Sequence, residues 1–204
     1  MNYQNKNIYI ESDSKSGFSL IELIVSLTLF VTITALSSAS IISVVNASNQ
    51  ARVSGQALNV ITFAIEDLVR NARIGTSFHC DNSSNGALDT PADCGFDTGD
   101  ASGELFAFES KDGDRLNPGD QYVYYWDSAN QEFHKSTDSF DSHINMLSDG
   151  IKLTNFEVQV EGSDINDTIQ PRAKFSFTFT YDYKGTTIPV TYETSVTSRT
   201  LDVE

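Results

Sequence analysis

A long stretch without charge near the N-terminus is the strongest pattern in the sequence. Most positions from Leu20 to Ile42 are apolar, and no charged side chain occurs between Glu22 and Arg52. An α-helix rises about 1.5 Å per residue, so this segment is roughly 34 Å long as a helix, against about 30 Å for the hydrocarbon core of a bilayer. The pattern therefore predicts a membrane-spanning helix.

Seven hydroxyl side chains distinguish this helix from a permanent membrane anchor. They are Ser26, Thr28, Thr32, Thr34, Ser37, Ser38 and Ser40. Each can donate a hydrogen bond to a carbonyl one turn earlier, which makes it tolerable in lipid. We expect the segment to leave a bilayer more readily than a leucine-rich helix would.

Beyond this segment, apolar residues recur with a helical period. Spacings of three and four residues relate Leu58, Ile61, Ile65, Leu68 and Ala72. Such a stripe is typical of a helix with one face on a protein core. Since no proline precedes Pro91, we predict one helix from Phe18 to about Ile74. Gly55 is its weakest point, and Gly75 is its expected end.

The rest of the chain has the alternation of β-strands. Gly, Ser, Asn and Asp are frequent between Gly75 and Gly103, which predicts a loop region. Strands are predicted after it, at 104–109, 121–126, 131–135, 151–161, 175–183 and around 188–196. Pro189 would confine the last strand to a sheet edge or a bulge. The predicted fold class is α+β, a long N-terminal helix packed on a C-terminal antiparallel β-sheet domain.

One predicted strand carries an unbroken aromatic stripe. Its residues are Phe175, Phe177, Phe179, Tyr181 and Tyr183. Alternate positions of a strand share one face of the sheet. We interpret this stripe as the face that packs on the amphipathic helix, rather than as a platform for a ligand.

Composition and charge narrow the class of protein. The chain has 204 residues, of which 39% are hydrophobic and 11% aromatic, as expected for a folded protein. Its formal net charge is −15 and its pI is about 4.4. Because such a surface repels nucleic acid and anionic lipid, no nucleic-acid partner is expected.

The two cysteines, Cys80 and Cys94, bracket part of the predicted loop region. In an exported chain, a lone pair of this kind predicts a disulfide, while two buried thiols are the alternative. Closing a loop of about 15 residues would contribute on the order of 3 kcal/mol. His79 beside Cys80 also suggests zinc, but a fourth ligand is lacking.

Enzymatic chemistry finds little support in the sequence. His79, His134 and His143 are scattered, without the spacing of a catalytic triad or a metal site. No glycine-rich loop follows a strand as it does in phosphate-binding motifs. We expect no catalytic residues and no enzyme activity.

A calcium site is the one metal hypothesis that the sequence leaves open. Its candidate ligands are Asp81, Ser83, Asn85 and Asp89, at positions one, three, five and nine of a calcium-loop pattern. Gly86 occupies the sixth position, where that pattern has glycine. Ala92 stands at the twelfth position instead of an acid, and Asp93 comes one residue late. The match is incomplete.

The residues from Lys15 to Glu22, Lys-Ser-Gly-Phe-Ser-Leu-Ile-Glu, carry a family resemblance. Followed by a long apolar helix, they resemble the N-terminus of type IV prepilins and of type II secretion pseudopilins. The resemblance implies that a prepilin peptidase cuts after Gly17 and that the new N-terminal residue, Phe18, is N-methylated. It also implies that Glu22 pairs with the N-terminal amine of a neighbouring subunit in a filament.

Residues 1–17 would be the leader, which leaves 204 − 17 = 187 residues in the mature chain. The leader departs from the family pattern, because Lys6 and Lys15 are balanced by Glu11 and Asp13. An ordinary secretory signal with a cut near Ala39 is the alternative. Glu22 would interrupt the apolar region of such a signal.

The downstream sequence narrows the resemblance. Three blocks are similar to J-type pseudopilins and the larger minor pilins, and they lie at 122–135, 146–156 and 194–199. The first block contains Tyr-Val-Tyr-Tyr-Trp-Asp and a hairpin with the loop Asp-Ser-Ala-Asn at 127–130.

The predicted organisation has four parts. They are a leader at 1–17, a transmembrane or filament-core helix at 18–45, an amphipathic helix at 46–75 and a β-rich head at 76–204 with the 80–94 disulfide loop. We expect a single-pass protein of the cytoplasmic (inner) membrane, with its head outside the cytoplasm, that assembles with other pilins or pseudopilins into a filament. The alternative is an anchored or secreted binding module that does not polymerise.

Overall fold

The computed structural model describes residues 17–81, 91–95, 103–113, 117–163 and 169–199. The chain forms two compact units, and the boundary between them falls at Asn49 and Gln50. The elements are α1 (Leu20–Ile74), β1 (Thr76–Asp81), β2 (Leu105–Glu109), a 3₁₀ turn (Pro118–Asp120), β3 (Tyr122–Asp127), β4 (Glu132–Ser136), β5 (Ile144–Asn145), β6 (Ile151–Glu161), β7 (Arg172–Tyr183) and β8 (Thr186–Thr197). The predicted α+β class is confirmed.

Helix α1 runs for 55 residues and continues through Gly55 without interruption. It ends at Gly75, as predicted, where the Gly75 N–H donates to the carbonyls of Asn71 and Ala72 at 3.1 Å. A Cβ atom at Gly75 would lie 2.3 Å from Cδ2 of Phe108. Only glycine therefore allows the chain to leave the helix so close to the core.

The strands form two antiparallel sheets in the second unit. One has the order β1-β2-β3-β4-β5, and the other has the order β6-β7-β8. Pro189 lies on β8, opposite Thr180 of β7. Because β8 is at the edge of its sheet, the missing N–H of Pro189 is tolerated there, as the sequence predicts.

The prediction of a loop between Gly75 and Gly103 is wrong for the residues that directly follow Gly75. Residues Thr76–Asp81 form β1, in which His79 and Cys80 pair with Ala107 and Phe106 of β2. The polar composition of the whole region conceals this short strand. The strand is stable because it pairs with β2, which lies more than 20 residues away in the sequence. The residues next to β1 therefore do not predict this pairing.

The second half of α1 contributes a stripe of small and aliphatic side chains to the core. The buried positions are Ala57, Ile61, Ala64, Ile65, Leu68 and Ala72. Leu58, which was predicted to lie on this face, is instead 44% exposed, and Ala57 takes its place. Successive helical residues are about 100° apart, so positions 57 and 64 point in directions only about 20° apart, and the burial of Ala64 moves the centre of the stripe towards position 57 and away from 58.

Aromatic side chains from both sheets complete this core. Phe175, Phe177 and Phe179 are fully buried and belong to the same cluster as the helix stripe, which confirms the predicted role of the aromatic face. The ring centroids of Phe106 on β2 and Phe175 on β7 are 4.9 Å apart, edge to face. Phe133 on β4 and Phe177 are 5.6 Å apart. The two sheets therefore share one hydrophobic core.

A polar network joins the helix to the first sheet. The Tyr124 hydroxyl donates to Oδ2 of Asp67 at 2.8 Å and accepts from Nδ2 of Asn71 at 3.0 Å. Lys135, directly across from Tyr124 on β4, places Nζ 2.7 Å from the same Asp67 oxygen. Burial raises the pKa of Tyr124 far above its usual range, and the hydrogen bond to Asp67 acts in the same direction. The phenol therefore stays protonated and can donate.

Replacing Tyr124 by phenylalanine should lower the free energy of unfolding by about 1–2 kcal/mol, because Asn71 and Asp67 each lose a partner at a partly buried site. Urea unfolding of the full chain in detergent, followed by near-ultraviolet circular dichroism, measures this change. Tyr125→Phe, on the opposite face of the strand, is the control and should cost less than about 0.5 kcal/mol. Equal losses for the two variants would contradict the role of the network.

Candidate processing and assembly site

The predicted cleavage bond lies just before the helix. Gly17, Phe18 and Ser19 are exposed and non-helical, and Phe18 has 85% of its surface exposed. The Ser19 carbonyl accepts hydrogen bonds from the N–H groups of Glu22 and Leu23 at 3.1 and 3.2 Å. The Gly17–Phe18 bond therefore lies outside the helical hydrogen bonding, on exposed backbone of the kind that proteases cut.

Glu22 lies in the first turn of α1, and its side chain is exposed. A carboxylate near a helix N-terminus interacts favourably with the unpaired N–H groups of the first turn. This position also keeps the acid within four residues of Phe18. The structure thus places an aromatic residue, Phe18, and an acid, Glu22, close together in sequence at the start of a long helix.

Five of the seven hydroxyls of the apolar segment bond to the backbone as predicted. Thr28 Oγ1 donates to the Val25 carbonyl at 2.8 Å, and Thr34 Oγ1 donates to the Phe30 carbonyl at 2.7 Å. The same bonding to the preceding turn is made by Ser26, Thr32 and Ser38. These side chains can enter a bilayer because their donors are already satisfied within the helix.

The first unit leaves its apolar side chains uncovered. All of its described residues, 17–49, are exposed, including large hydrophobic side chains from Phe18 to Val45. By length and composition, α1 is able to cross a membrane. Such a continuous apolar surface is not stable in water, so this segment requires lipid or other protein around it.

The cysteines form the predicted disulfide between Cys80 and Cys94, with their Cα atoms 6.3 Å apart. Cys94 also exchanges two backbone hydrogen bonds with Val160 of β6, at 3.0 and 2.9 Å. The disulfide therefore links β1 of one sheet to the segment around Cys94, which is hydrogen-bonded to the other sheet. With both sulfurs in the disulfide, neither is a thiolate for zinc, so that hypothesis is wrong.

The calcium pattern remains a prediction. Asp81 ends β1, while Ser83, Asn85 and Asp89 lie outside the described residues. Asp93, the acid nearest the twelfth position, has a different role. Its Oδ1 accepts from the N–H of Ser163 at 2.9 Å.

A cluster of three side chains that no sequence motif indicated lies on the β3–β4 hairpin. The ligand atoms of Asp127, Glu132 and His134 all lie within 4.8 Å of one another. Asp127 already accepts hydrogen bonds from Ala129 and Asn130 in the turn, and those from Asn130 lower its pKa. The hydrogen bonds within the turn therefore explain why a carboxylate occupies position 127. The cluster was foreseeable, since a four-residue loop after Asp127 pairs it with Glu132.

Comparison with known proteins bears on the N-terminus alone. The family model described as the prokaryotic N-terminal methylation motif matches residues 13–38, which include Gly17, Phe18 and Glu22. No curated protein and no solved structure matches the chain significantly. The motif and the apolar helix are consistent with a type IV pilin or pseudopilin. They support a pilin-like protein with an inner-membrane anchor, a structural subunit and not an enzyme.

The mature chain should begin at N-methylated Phe18, because the motif places the cut on the exposed Gly17–Phe18 bond. Intact-mass and N-terminal peptide spectra of the protein from its membrane measure this directly. A strain without prepilin peptidase is the control and should retain the leader. An N-terminus near Ala39 in both strains would show that an ordinary signal peptidase processes the chain.

Proposed function

We propose that this protein is a minor pilin or pseudopilin, a structural subunit of a type IV pilus or of a type II secretion-like filament. The observation that carries the proposal is the methylation motif at 13–38 continuing into an unbroken helix whose apolar side chains are exposed. Before assembly, lipid of the inner membrane covers these side chains. Neighbouring subunits cover them after assembly.

The assembly step follows from the charges at the start of the helix. Prepilin peptidase creates a new amine at Phe18, and Glu22 of one subunit accepts a hydrogen bond from that amine on its neighbour. Between apolar helices the local dielectric is low, so an ion pair with a hydrogen bond is strong and an unpaired carboxylate is disfavoured. Glu22 thereby recruits the subunit and fixes its register.

The hydroxyls along the helix support transfer out of the membrane. A helix with polar groups in its apolar surface has a smaller hydrophobic free energy to lose on leaving lipid than a purely aliphatic one. The bonds from Thr28, Thr34 and Ser38 to the preceding turn keep this surface compatible with both environments. The segment is suited to a temporary residence in the bilayer.

The size of the head favours a minor subunit at the filament tip. The second compact unit runs from Gln50 to Glu204 and contains both sheets. Heads of this bulk, repeated at the short axial rise of a thin helical filament, would crowd one another. One copy at the tip avoids this crowding, and such a subunit is placed to initiate assembly.

Glu22→Ala should leave membrane insertion and leader cleavage intact and strongly reduce incorporation into filaments. Removing one partner of a buried ion pair costs about 3–5 kcal/mol, because the other charge remains unpaired. Glu22→Gln should show most of the same loss, since it keeps the size of the side chain but not its charge. Immunoblots of the membrane and sheared-filament fractions give the ratio of filament-incorporated to membrane-bound protein for each variant.

The matched control is Glu157→Gln, which removes one negative charge at an exposed position of β6. It should be incorporated at the wild-type level. Equal incorporation of wild type, Glu22→Ala and Glu22→Gln would show that the charge pair does not recruit this subunit. Absence of the wild-type chain from sheared filaments would instead favour an anchored binding module that does not polymerise.

The protein should form only a small fraction of sheared filaments, because its head is too large to repeat along a thin shaft. Quantitative proteomics of purified filaments, with isotope-labelled peptides as standards, measures its ratio to the most abundant pilin. We expect about one copy or a few copies per filament. Finding this chain as the main component would refute the minor-subunit proposal.

A further inference from the structure

A groove on the head lies between the last turns of α1 and strand β8. It has a volume of about 510 Å³ and is lined on the helix side by Ile65, Glu66, Val69, Arg70, Arg73 and Ile74. Tyr192 and Thr194 of β8, with Arg199 just beyond it, line the other side. The Arg199 N–H donates to the Arg73 carbonyl at 3.0 Å, which holds the chain after β8 against the end of the helix.

The groove is positively charged, although the protein as a whole is negatively charged. Three of the six arginines of a chain with net charge −15 line it, against one acid, Glu66. Arg70, Arg73 and Arg199 are all exposed. Within the part of the chain that the structure describes, none of their guanidinium groups forms an ion pair.

Apolar surface accompanies the arginines. Tyr192 and Phe177 are direct cross-strand partners and so share one face of the sheet. Phe177 is fully buried, whereas Tyr192 remains 38% exposed, which shows that α1 covers β7 and leaves β8 partly open. Ile74, 42% exposed, contributes on the helix side. An occupant of the groove would therefore bury apolar side chains beside three cationic ones.

The negative net charge of the protein determines which kind of anionic partner can bind in the groove. Nucleic acids and anionic membranes are extended polyanions, and they would meet the repulsion of the whole acidic surface. A short protein segment with a few carboxylates meets mainly the local field, because screening limits electrostatic interactions to about 8–10 Å at physiological salt. Arginine binds carboxylates through two parallel hydrogen bonds, which favours this partner further.

We propose that this groove is a docking site for an acidic segment of a partner protein, whose carboxylates bind Arg70, Arg73 and Arg199 and whose apolar side chains pack on Ile74 and Tyr192. Strand β8 is the free edge of its sheet among the described residues, so an extended segment fits alongside it. This site goes beyond the proposed filament role, since it depends on the head and not on the N-terminal motif.

The test uses the full chain in zwitterionic detergent and a fluorescein-labelled ten-residue peptide in which Glu alternates with Val. Fluorescence anisotropy should show saturable binding that weakens as salt is added. The triple variant Arg70→Gln, Arg73→Gln, Arg199→Gln should bind at least about tenfold more weakly, through the loss of three charge pairs. The corresponding triple arginine-to-lysine variant keeps the charge and should retain more of the affinity.

The matched control is the triple variant Lys111→Gln, Lys152→Gln, Lys174→Gln, which lowers the net charge equally at exposed positions outside the groove. It should bind the Glu–Val peptide as the wild type does. Equal losses in the two Gln triple variants, or equal wild-type binding of a Lys–Val peptide, would overturn the site. Sedimentation equilibrium showing a dimer that the arginine variant loses would make a second copy the occupant and also overturn the proposal.

Discussion

The packing of the second half of α1 on the aromatic core determines the architecture of the head. Neither sheet buries its aromatic face alone, because the phenylalanines of β2, β4 and β7 contact one another across the two sheets, and the helix stripe closes the cluster. Small residues of the helix stripe such as Ala64 and Ala72 are fully buried together with its larger aliphatic side chains. The polar network around Tyr124 adds directional bonds to this non-directional burial and fixes the rotation of the helix.

The same helix meets opposite requirements along its length. In the head, its apolar stripe is narrow and is covered by the sheets of the same chain. In the first unit, all described positions are exposed, and the apolar surface extends around the helix. Its partners must therefore come from outside the chain, first as lipid and then, under our proposal, as helices of neighbouring subunits. One continuous secondary structure thus serves folding at one end and assembly at the other.

Charge is distributed as unevenly as hydrophobicity. The acidic composition repels polyanions, while the arginines at the end of α1 and beyond β8 form a local exception. Glu22 is another isolated charge, placed at the start of a helix segment that is otherwise uncharged. Both sites combine charge with exposed apolar surface, and this combination gives specificity in protein interfaces.

The sequence by itself determined the features that depend on local chemistry and period. The helix with its end at Gly75, the aromatic stripe of β7, the edge position of Pro189 and the motif around Gly17 all follow from neighbouring residues. Tertiary structure decided the rest. Strand β1 exists because β2 pairs with it, and Ala57 rather than Leu58 is buried because the whole stripe sets the rotation of α1. Arg73 and Arg199 meet because β8 returns to the end of the helix, and no local pattern encodes a contact over so many residues.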